Sequence, residues 1–357
     1  MSTGINSEIF EKLKIKNMGK VVIMPDFFID RFVIMESIGC FRNILAKKLN
    51  SGGGSLSGYN QYESKGGNAT NTAYSLGKLG VNVRLITVSE GVFSNILHDT
   101  FSNLPNVLVR VVKGRPGQTV ALEFKNGRKN TNIMLSDLGD ISVFDVDRLN
   151  NEDWESITKA GMVCIMNWAA NYKGTDLALR VFNYAKQHKV KTFFAPADMS
   201  VRIDDFKDFL KQAFDKELIT ILSINENELR FIEKILKLES MPRYYSSSNI
   251  MMSAKKVSDL LSTRVDIHTA IGSSTAYNGS ASYSPSFNVN QNFATGAGDV
   301  WDAADIAAYL TGIDSNQRLF FANACAGYYI SNLQPEPPTL NEIMNFLIQK
   351  PSQVEYH

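Results

Sequence analysis

The residues best placed to do chemistry form one short segment, Thr295-Gly296-Ala297-Gly298-Asp299, directly before a predicted helix. Two glycines allow the backbone to turn successive N–H groups toward one point, and the helix that follows adds its positive N-terminal end. Such a turn can bind an anion without the help of a lysine. Asp299 lies in the first turn of the helix, where a carboxylate can either stabilise the helix N-terminus or act as a base for an incoming hydroxyl.

A second polar segment, residues 66–71 (Gly-Gly-Asn-Ala-Thr-Asn), opens another predicted helix. Its glycines would let a ligand approach the backbone closely, and the Asn71 amide offers both a donor and an acceptor. The structural alternative is a helix that is simply capped by Asn68.

Two further polar pairs follow predicted strands. Asn225 and Glu228 are three residues apart at the start of a helix, so they share one face, and Glu228 could accept hydrogen bonds from water bound to Mg²⁺. Asp26 and Asp30 follow the first strand, at the end of a parallel sheet where ligands gather. The alternatives are an acidic first helical turn for the former pair and two solvated loop carboxylates for the latter.

Several common sites are disfavoured because their motifs are absent. The chain has no G-x-x-x-x-G-K-[ST], no G-x-G-x-x-G after a strand and no G-x-S-x-G, which argues against P-loop NTPases, Rossmann dehydrogenases and α/β-hydrolases. The four histidines are scattered and the three cysteines lie far apart, so a zinc site is not expected. The net charge of +1 creates no field that would attract nucleic acid or an acidic membrane.

The expected location is the cytoplasm. The N-terminal residues contain no apolar signal segment, and no run of about 18 apolar residues occurs that would span a membrane. Three cysteines without a CxxC motif fit a reducing compartment.

The hydrophobic pattern predicts an α/β scaffold for these motifs. Short apolar runs predict buried strands, and amphipathic stretches predict helices between them. This alternation is typical of a three-layer core, in which a mostly parallel central sheet is flanked by helices. The strands are predicted at 21–24, 81–88, 162–166, 191–195, 218–224 and 265–271, and the helices at 68–79, 174–188, 204–214, 226–237, 297–310, 315–331 and 339–349.

Two segments break the alternation and are predicted to form a small β-sheet lid. Residues 31–64 are rich in Gly and Ser and indicate a flexible hairpin or flap, and residues 107–135 contain three short alternating strands with Gly turns. The expected organisation is a leader at 1–18, one domain at 19–349 that carries both insertions, and a tail at 350–357. An exposed lid edge invites strand pairing, so a homodimer through the lid is expected.

In this order, the motifs resemble those of the PfkB carbohydrate kinases, the family of ribokinase, fructokinases and adenosine kinase. Residues 65–80 (KGGNATNTAYSLGKLG) and 294–310 (ATGAGDVWDAADIAAYL) look like the two family signatures. Residues 221–229, 25–30 and 337–347 resemble the N-x-x-E segment, the region of the sugar-binding Asp and the C-terminal helix. The resemblance implies a ribokinase-like fold and a kinase that transfers a phosphoryl group from ATP to a hydroxyl.

The resemblance also implies roles for residues at matching positions. Asp299 would be the catalytic base, and the anion hole would be formed by Gly296, Ala297 and Gly298. The residues that would contact the acceptor are Phe28, Asp30, Gly66, Gly67, Asn71 and Asn167. Asn225 and Glu228 would organise Mg²⁺ through water. The residues that would contact ATP are Gly272, Ser273, Ser274 and, near the adenine, Asn323.

Three departures from the family pattern bear on function. Phe293-Ala294 stand where the family often has Asp-Thr, whose Asp commonly helps to bind a monovalent cation, so little dependence on K⁺ is expected. The nucleotide loop reads Gly-Ser-Ser-Thr at 272–275 instead of Gly-x-x-Gly. Phe28 stands two residues before Asp30, where ribokinases favour Asn.

The identity of the acceptor stays open at this point. A sugar or sugar acid is the first possibility, and a nucleoside whose base stacks on Phe28 is the second. A third is a catalytically silent family member that binds a ligand or assists assembly, which the presence of Asp299 disfavours.

Overall fold

The structure is a computed structural model that describes residues 10–13, 19–126, 129–242, 246–292, 295–349 and 351–354, with the backbone alone at 125–126 and 129–131. Within the predicted leader, Phe10 and Leu13 are buried, and the Phe10 ring packs edge-on against Phe321 at 6.2 Å between ring centroids. This short part of the leader therefore packs against the main domain.

A nine-stranded sheet forms the centre of the molecule. The strands of the chain are β1 Lys20–Met24, β2 Phe28–Met35, β3 Gln61–Gly66, β4 Asn82–Ser89, β5 Val107–Lys113, β6 Gly117–Asn126, β7 Lys129–Asp137, β8 Met162–Met166, β9 Lys191–Ala195, β10 Ile221–Asn225, β11 Arg264–His268, β12 Gly272–Tyr277 and β13 Ser280–Pro285. The order in the central sheet is β13-β12-β11-β10-β9-β8-β1-β4-β5. All neighbours from β5 to β11 are parallel, and β12 and β13 add an antiparallel hairpin at one edge.

Helices cover both faces of this sheet. The α-helices of the described chain are α1 Ile38–Asn50, which lies beside the lid, and α2 Asn68–Lys78, α3 Val92–Phe101, α4 Asn151–Thr158, α5 Gly174–Gln187, α6 Ile203–Asp215, α7 Glu226–Ile235, α8 Ser247–Leu261, α9 Ala297–Thr311, α10 Ser315–Ser331 and α11 Leu340–Ile348. Apolar side chains of α5, α6 and α8 pack on one face, and those of α2, α9 and α10 pack on the other. The predicted three-layer α/β architecture is confirmed. In the described ranges, each helix is too short or too polar to span a bilayer.

A separate four-stranded sheet, which we call the lid sheet, has the order β3-β2-β6-β7. β2 pairs antiparallel with β3 and parallel with β6, and β6 pairs antiparallel with β7. Only three residues separate β1 of the central sheet from β2 of the lid sheet, so the two sheets are closely joined there.

Two parts of the predicted insertions differ from expectation. β5, which the alternating pattern assigned to the lid, pairs with β4 along its whole length in the central sheet. It is one of the two edge strands of that sheet, and it mixes buried residues (Val107, Val112) with exposed ones (Leu108, Val111), as a half-buried lid strand would. Residues 38–50, predicted as part of a flap, form α1, in which no residue is buried; its Phe41 ring lies 5.6 Å from that of Phe124 in the lid sheet.

The strand order reverses at β1, which lies between β4 and β8. Open α/β sheets bind ligands at the carboxyl ends of their strands beside such a reversal. Asp26 follows the end of β1, and Asn167 directly follows β8. The fold therefore brings two of the polar residues singled out in the sequence to the place where a ligand is expected.

Candidate active site

A cavity of about 760 Å³ lies between the lid sheet and the carboxyl ends of the central strands. Asn132 of β7 donates a hydrogen bond of 3.2 Å to the Thr295 hydroxyl, so the lid sheet reaches the turn that precedes α9. The lining includes eight of the residues predicted to act in catalysis or acceptor binding, namely Phe28, Asp30, Gly67, Asn71, Asn167, Gly296, Gly298 and Asp299.

The predicted anion-binding turn stands at the N-terminus of α9. Gly296 is the N-cap residue and has a φ of 85°, in the left-handed region that favours glycine. Tyr329 braces the turn, because its hydroxyl donates a hydrogen bond of 2.9 Å to the carbonyl of Thr295. A Cβ at Gly296 would lie 2.7 Å from that hydroxyl. The preceding residues, Phe293 and Ala294, on which the K⁺ prediction depends, lie outside the described residues.

Asp299 is buried in the first turn of α9. Asn71 of α2 donates a hydrogen bond of 2.9 Å from its Nδ2 atom to Asp299 Oδ2. Burial raises the pKa of Asp299 to about 7, and the hydrogen bond from Asn71 works in the opposite direction. A carboxyl group with such a pKa changes its protonation state near neutral pH, as a general base requires.

Asp26 is buried and caps α2 from the end of β1. Its two carboxylate oxygens accept hydrogen bonds of 2.8 Å from the backbone N–H groups of Asn68 and Ala69. The amide of Asn167 donates a third, also of 2.8 Å. The alternative of two solvated loop carboxylates is therefore excluded, since both Asp26 and Asp30 are buried. The structural alternative for the second segment, a helix capped by Asn68, is not observed either, because the N-cap residue of α2 is Gly67, which has no side chain.

Asp30 lies on β2 of the lid sheet, opposite Ser64 of β3 and Thr119 of β6. Burial raises the pKa of Asp30 to about 6, and a hydrogen bond with Thr119 opposes the shift. Gly66 leaves the space that this carboxylate occupies, because a Cβ there would lie 2.1 Å from Asp30 Oδ2. Gly66 therefore acts on the cavity indirectly, through the position of Asp30.

An apolar region of the cavity surrounds Phe28. The Phe28 ring fills the space beside Gly117, where a Cβ would lie 2.2 Å from the ring. Tyr172 and Arg202 stand across the cavity, and the Arg202 guanidinium lies 4.4 Å from the Trp168 ring. The other apolar side chains of the lining are Met134, Leu138, Ala169, Ala170, Ala197 and Val201.

Asn225 and Glu228 cap α7 and are not among the residues that line this cavity. Asn225 Nδ2 donates a hydrogen bond of 2.8 Å to Glu228 Oε1, and the Asn225 backbone N–H donates one of 3.0 Å to Oε2. Burial raises the pKa of Glu228 to about 7. Asn225 and Glu228 therefore form the helix cap that was considered as the structural alternative. Their predicted role in organising Mg²⁺ stays a prediction.

The segment predicted as a nucleotide loop is a strand. Gly272, Ser273 and Ser274 belong to β12, and both serines are fully buried. Ser274 donates a hydrogen bond of 2.8 Å to the carbonyl of Ser282 in β13. The chain reverses earlier, where the backbone N–H of Thr269 donates to the carbonyl of Gly272 at 2.9 Å. A run of small polar residues is typical of a loop, but here the buried serine hydroxyls form hydrogen bonds with neighbouring groups inside the fold.

Asn323, predicted to lie near an adenine, is a buried connection between elements. Its Oδ1 atom accepts hydrogen bonds from Trp301 Nε1 at 2.9 Å and from the Ser273 hydroxyl at 2.8 Å. Its Nδ2 atom donates to the carbonyls of Ser284 and Pro285. The structure therefore places Asn323 between α9, α10 and the β12–β13 hairpin, with its polar atoms already engaged.

Two residues near Asp299 were missed by sequence reasoning. His268 ends β11, and its ring lies 5.1 Å from that of Trp301 and beside Gly298. Burial lowers the pKa of His268 to about 4, so its imidazole is neutral at pH 7. Lys65, directly before the two glycines, has its Nζ atom 3.4 Å from Asn71 Oδ1. Lys65 could have been recognised from the sequence because it begins the 65–80 segment that resembles a family signature. His268 could not, because the predicted strand continued to residue 271, whereas β11 ends at His268.

Comparisons with known proteins identify the family. The family model described as "pfkB family carbohydrate kinase" matches residues 46–340. A ribokinase from Arabidopsis thaliana, solved with ribose and ATP, is 20% identical, with a TM-score of 0.69 over 92% of this chain and 98% of that chain. A nucleoside kinase from Burkholderia thailandensis, solved with inosine, is 15% identical, with a TM-score of 0.65 over 94% of this chain and 100% of that chain. A search of curated proteins found no match.

The solved structures share the architecture of this chain, and the family model covers the motifs singled out in its sequence. At these identities the structural likeness shows a ribokinase-like fold. The family model extends over most of the chain and includes the α2 and α9 segments that meet at Asp299. The chain therefore belongs to the pfkB family of carbohydrate kinases.

Proposed function

We propose that the protein transfers the γ-phosphoryl group of ATP to a hydroxyl of a sugar or sugar-like molecule that binds in the cavity, with Asp299 as the base. The observation that carries this proposal is the position of Asp299. It is a buried carboxyl group that lines the cavity beside a glycine turn at a helix N-terminus. A base and an anion site side by side are what the transfer of a phosphoryl group to a hydroxyl requires.

In this mechanism Asp299 accepts the proton of the acceptor hydroxyl as the hydroxyl oxygen attacks the γ-phosphorus, the bond from that phosphorus to the β–γ bridging oxygen breaks, and ADP leaves. The N-terminal N–H groups of α9 have no partners within the helix and can stabilise the negative charge on the transferred phosphoryl group. Because Gly296 and Gly298 carry no side chains, the phosphoryl group can approach this backbone closely. The lid sheet covers the cavity and keeps out water, which would compete with the acceptor.

Mg²⁺, when bound with ATP, would neutralise phosphate charge. Asn225 and Glu228 would suit a position near such an ion because their side chains carry oxygen atoms, the ligands that Mg²⁺ prefers. Across the described residues, no cluster of three or more His, Cys, Asp or Glu side chains is arranged to bind a metal.

A nucleoside is the second candidate acceptor, and the apolar part of the cavity favours it. Phe28, Met134 and Leu138 border the cavity on one side, and Ala169 and Ala170 border it on another. A ribose ring has no apolar group for such walls, whereas a nucleobase has a flat face that stacks on an aromatic ring.

A ligand panel tests both the activity and the acceptor class. Sugars, sugar acids and nucleosides are compared for thermal stabilisation of the protein, with and without a non-hydrolysable ATP analogue. ADP formation from ATP and Mg²⁺ is then measured with each compound that stabilises. We expect at least one hydroxylated compound to stabilise the protein and to be phosphorylated. A compound that binds tightly without any turnover would instead support the silent binding protein.

Asp30→Ala is expected to raise KM for the acceptor and to leave KM for ATP nearly unchanged. Loss of a buried hydrogen-bonding partner costs about 1–3 kcal/mol, which corresponds to roughly 5- to 150-fold in KM. Steady-state kinetics with each substrate varied in turn measures both constants. If the substitution weakens ATP and spares the acceptor, the two halves of the site are assigned the wrong way round.

Gly66→Ala is expected to have a similar effect on the acceptor without removing any polar group. The new Cβ would overlap the Asp30 carboxylate, which has to leave its position. Gly39→Ala is the matched control, because a Cβ at Gly39 in α1 meets nothing within 4 Å. An unchanged acceptor KM in Gly66→Ala would show that the exact position of Asp30 does not matter.

We also propose that two copies of the chain associate through their lid sheets. β7 is an edge strand of the lid sheet, and its Ile133 and Leu135 side chains are exposed. Exposed apolar edge strands favour pairing with a second chain.

A further inference from the structure

Lys65, Asn71 and Asp299 form a continuous chain of polar contacts that joins the lid sheet to α9. Lys65 lies near the end of β3, and its Nζ atom is 3.4 Å from Asn71 Oδ1. On the other side of the same amide, Asn71 Nδ2 is 2.9 Å from Asp299 Oδ2. The ammonium group and the carboxyl group therefore contact opposite ends of one amide.

The chemistry of these groups permits one orientation of the Asn71 amide. An ammonium group can only donate hydrogen bonds, so the amide oxygen has to face Lys65. The amide NH₂ group then faces Asp299 and donates to it. A hydrogen bond from a donor is stronger when the acceptor is ionised, so this orientation favours the ionised carboxylate. The reverse orientation would place the amide oxygen against a carboxylate oxygen.

We propose that Lys65 is a positioning residue for the base, because it holds the Asn71 amide in the orientation that keeps Asp299 ionised and ready to accept a proton. This inference rests on the proposed function, in which Asp299 is the base. In this arrangement Asn71 has two roles, because one N–H of its amide donates a hydrogen bond to Asp299 and the other can donate to the acceptor.

Lys65 is held in place by α2 and by a neighbouring carboxylate. Its ammonium group lies 4.4 Å from the centre of the Tyr74 ring, one turn beyond Asn71. The Tyr74 hydroxyl and Lys78 Nζ each donate a hydrogen bond of 2.8 Å to Glu336 Oε1. Burial lowers the pKa of Lys65, and the charges of Glu336, Asp299 and Asp30 oppose this shift. The aromatic face and the carboxylates therefore offset part of the cost of burying the ammonium group and favour its cationic form.

Asp299 needs a nearby cation because most of the charged groups around it are acidic. Asp26 raises its pKa and Lys65 lowers it. The other titratable groups that face Asp299 or Lys65 come from β2, β11, α9, α10 and the segment before α11, and are Asp30, His268, Asp302, Tyr329 and Glu336. His268 is neutral at pH 7 and does not compensate the acidic groups.

The test compares the pH dependence of kcat in Lys65→Met, Lys65→Arg and wild type. Asp299 acts when ionised, and loss of the nearby cation raises its pKa, so the acidic limb of the profile should move to higher pH. A shift of about one pH unit from a pKa near 7 corresponds to a roughly fivefold lower kcat at pH 7, and the difference should disappear at about pH 9. KM for ATP should not change, and Lys65→Arg should restore most of the wild-type profile.

Lys78→Met is the matched control. Lys78 belongs to the same cluster through Glu336 but does not contact Asn71, so its pH profile should match that of wild type. If Lys65→Met lowers the melting temperature markedly, Lys65→Leu, which also removes both the donor and the charge, replaces it. A Lys65→Met or Lys65→Leu profile identical to that of wild type would overturn the proposal.

A double-variant comparison tests whether Lys65 acts through Asn71. In an Asn71→Ala background, Lys65→Met should produce less than about half of the shift seen in the wild-type background, because non-additivity reports direct coupling. An undiminished shift would mean that Lys65 acts on Asp299 by charge alone, and the role in orienting the amide would be wrong.

A spectroscopic titration separates failure of this inference from failure of the proposed function. The carboxyl signal of Asp299 is followed with pH by NMR in protein labelled at aspartate, with Asp299→Asn used for assignment. A higher pKa in Lys65→Met than in wild type supports the inference whether or not turnover is found. Kinase activity that survives Asp299→Asn would refute the proposed base, whereas an unchanged pKa in an active enzyme would refute the role of Lys65.

Discussion

Asp299→Asn is expected to lower kcat by roughly 10²- to 10⁴-fold, the usual contribution of a general base. Asparagine has nearly the same shape as aspartate, and its amide oxygen can still accept the hydrogen bond from Asn71. The fold and the affinity for ATP should therefore be retained. Measurement of kcat and of both KM values at about pH 8, where the wild-type carboxyl group is mostly ionised, shows the loss most clearly.

The pH dependence and stability of the same variant provide its controls. The pKa of Asp299 lies near 7, so wild-type kcat should fall as the pH decreases through neutrality, and this limb should be absent from any residual activity of the variant. Because the folded-state pKa is raised, the folded protein binds the proton more tightly than the unfolded chain, and burial of the ionised group costs stability at higher pH. The variant should thus be at least as stable as wild type at about pH 8. A near wild-type kcat would exclude Asp299 as the base.

Arg318→Met is expected to lower the free energy of unfolding by about 3–5 kcal/mol. The Arg318 side chain is buried and donates hydrogen bonds of 2.8 and 3.0 Å to the two carboxylate oxygens of Asp266. It also donates to Asp305, and at 2.8 Å to the Thr275 hydroxyl. Its removal leaves two buried carboxyl groups without their cation. Unfolding in urea, followed by circular dichroism, measures the change.

Arg31→Met is the matched control for this loss. Arg31 pairs with Glu63 on the lid sheet, and both side chains are about half exposed. Exposed pairs contribute less than about 1 kcal/mol. If the two arginine variants were equally stable, the Arg318 cluster would not be a main contributor to the stability of α10 against the central sheet.

The parts of the fold that follow from local sequence were predicted well. The apolar runs of β8 and β9 lie at the residues expected, and the long helix α10 has its predicted bounds. The turn before α9 was recognisable because glycines and a first-turn Asp act on their immediate neighbours. These features depend on contacts within a few residues, which a sequence pattern contains.

The errors concern partners that are distant along the chain. Asp26 caps α2 from 42 residues away, so no local pattern distinguishes it from a solvated loop residue. The Ser273 and Ser274 hydroxyls donate hydrogen bonds to groups in α10 and β13. These distant partners allow a segment whose composition resembles a loop to be buried as a strand. β5 mixes buried and exposed side chains, and such a pattern does not show to which sheet a strand belongs.

The cavity proposed to hold the acceptor has walls on two layers of the molecule, since Asp30 belongs to the lid sheet and Asp299 to α9, which packs on the central sheet. An acceptor that contacts both can bind fully only to molecules in which the lid sheet is closed over the cavity. Its apparent dissociation constant is therefore its intrinsic constant divided by the closed fraction. A change remote from the cavity, such as one where α1 meets the lid sheet, would weaken every acceptor by the same factor and preserve their rank order. In the proposed function, selectivity among acceptors would instead depend on residues that line the cavity, such as Phe28.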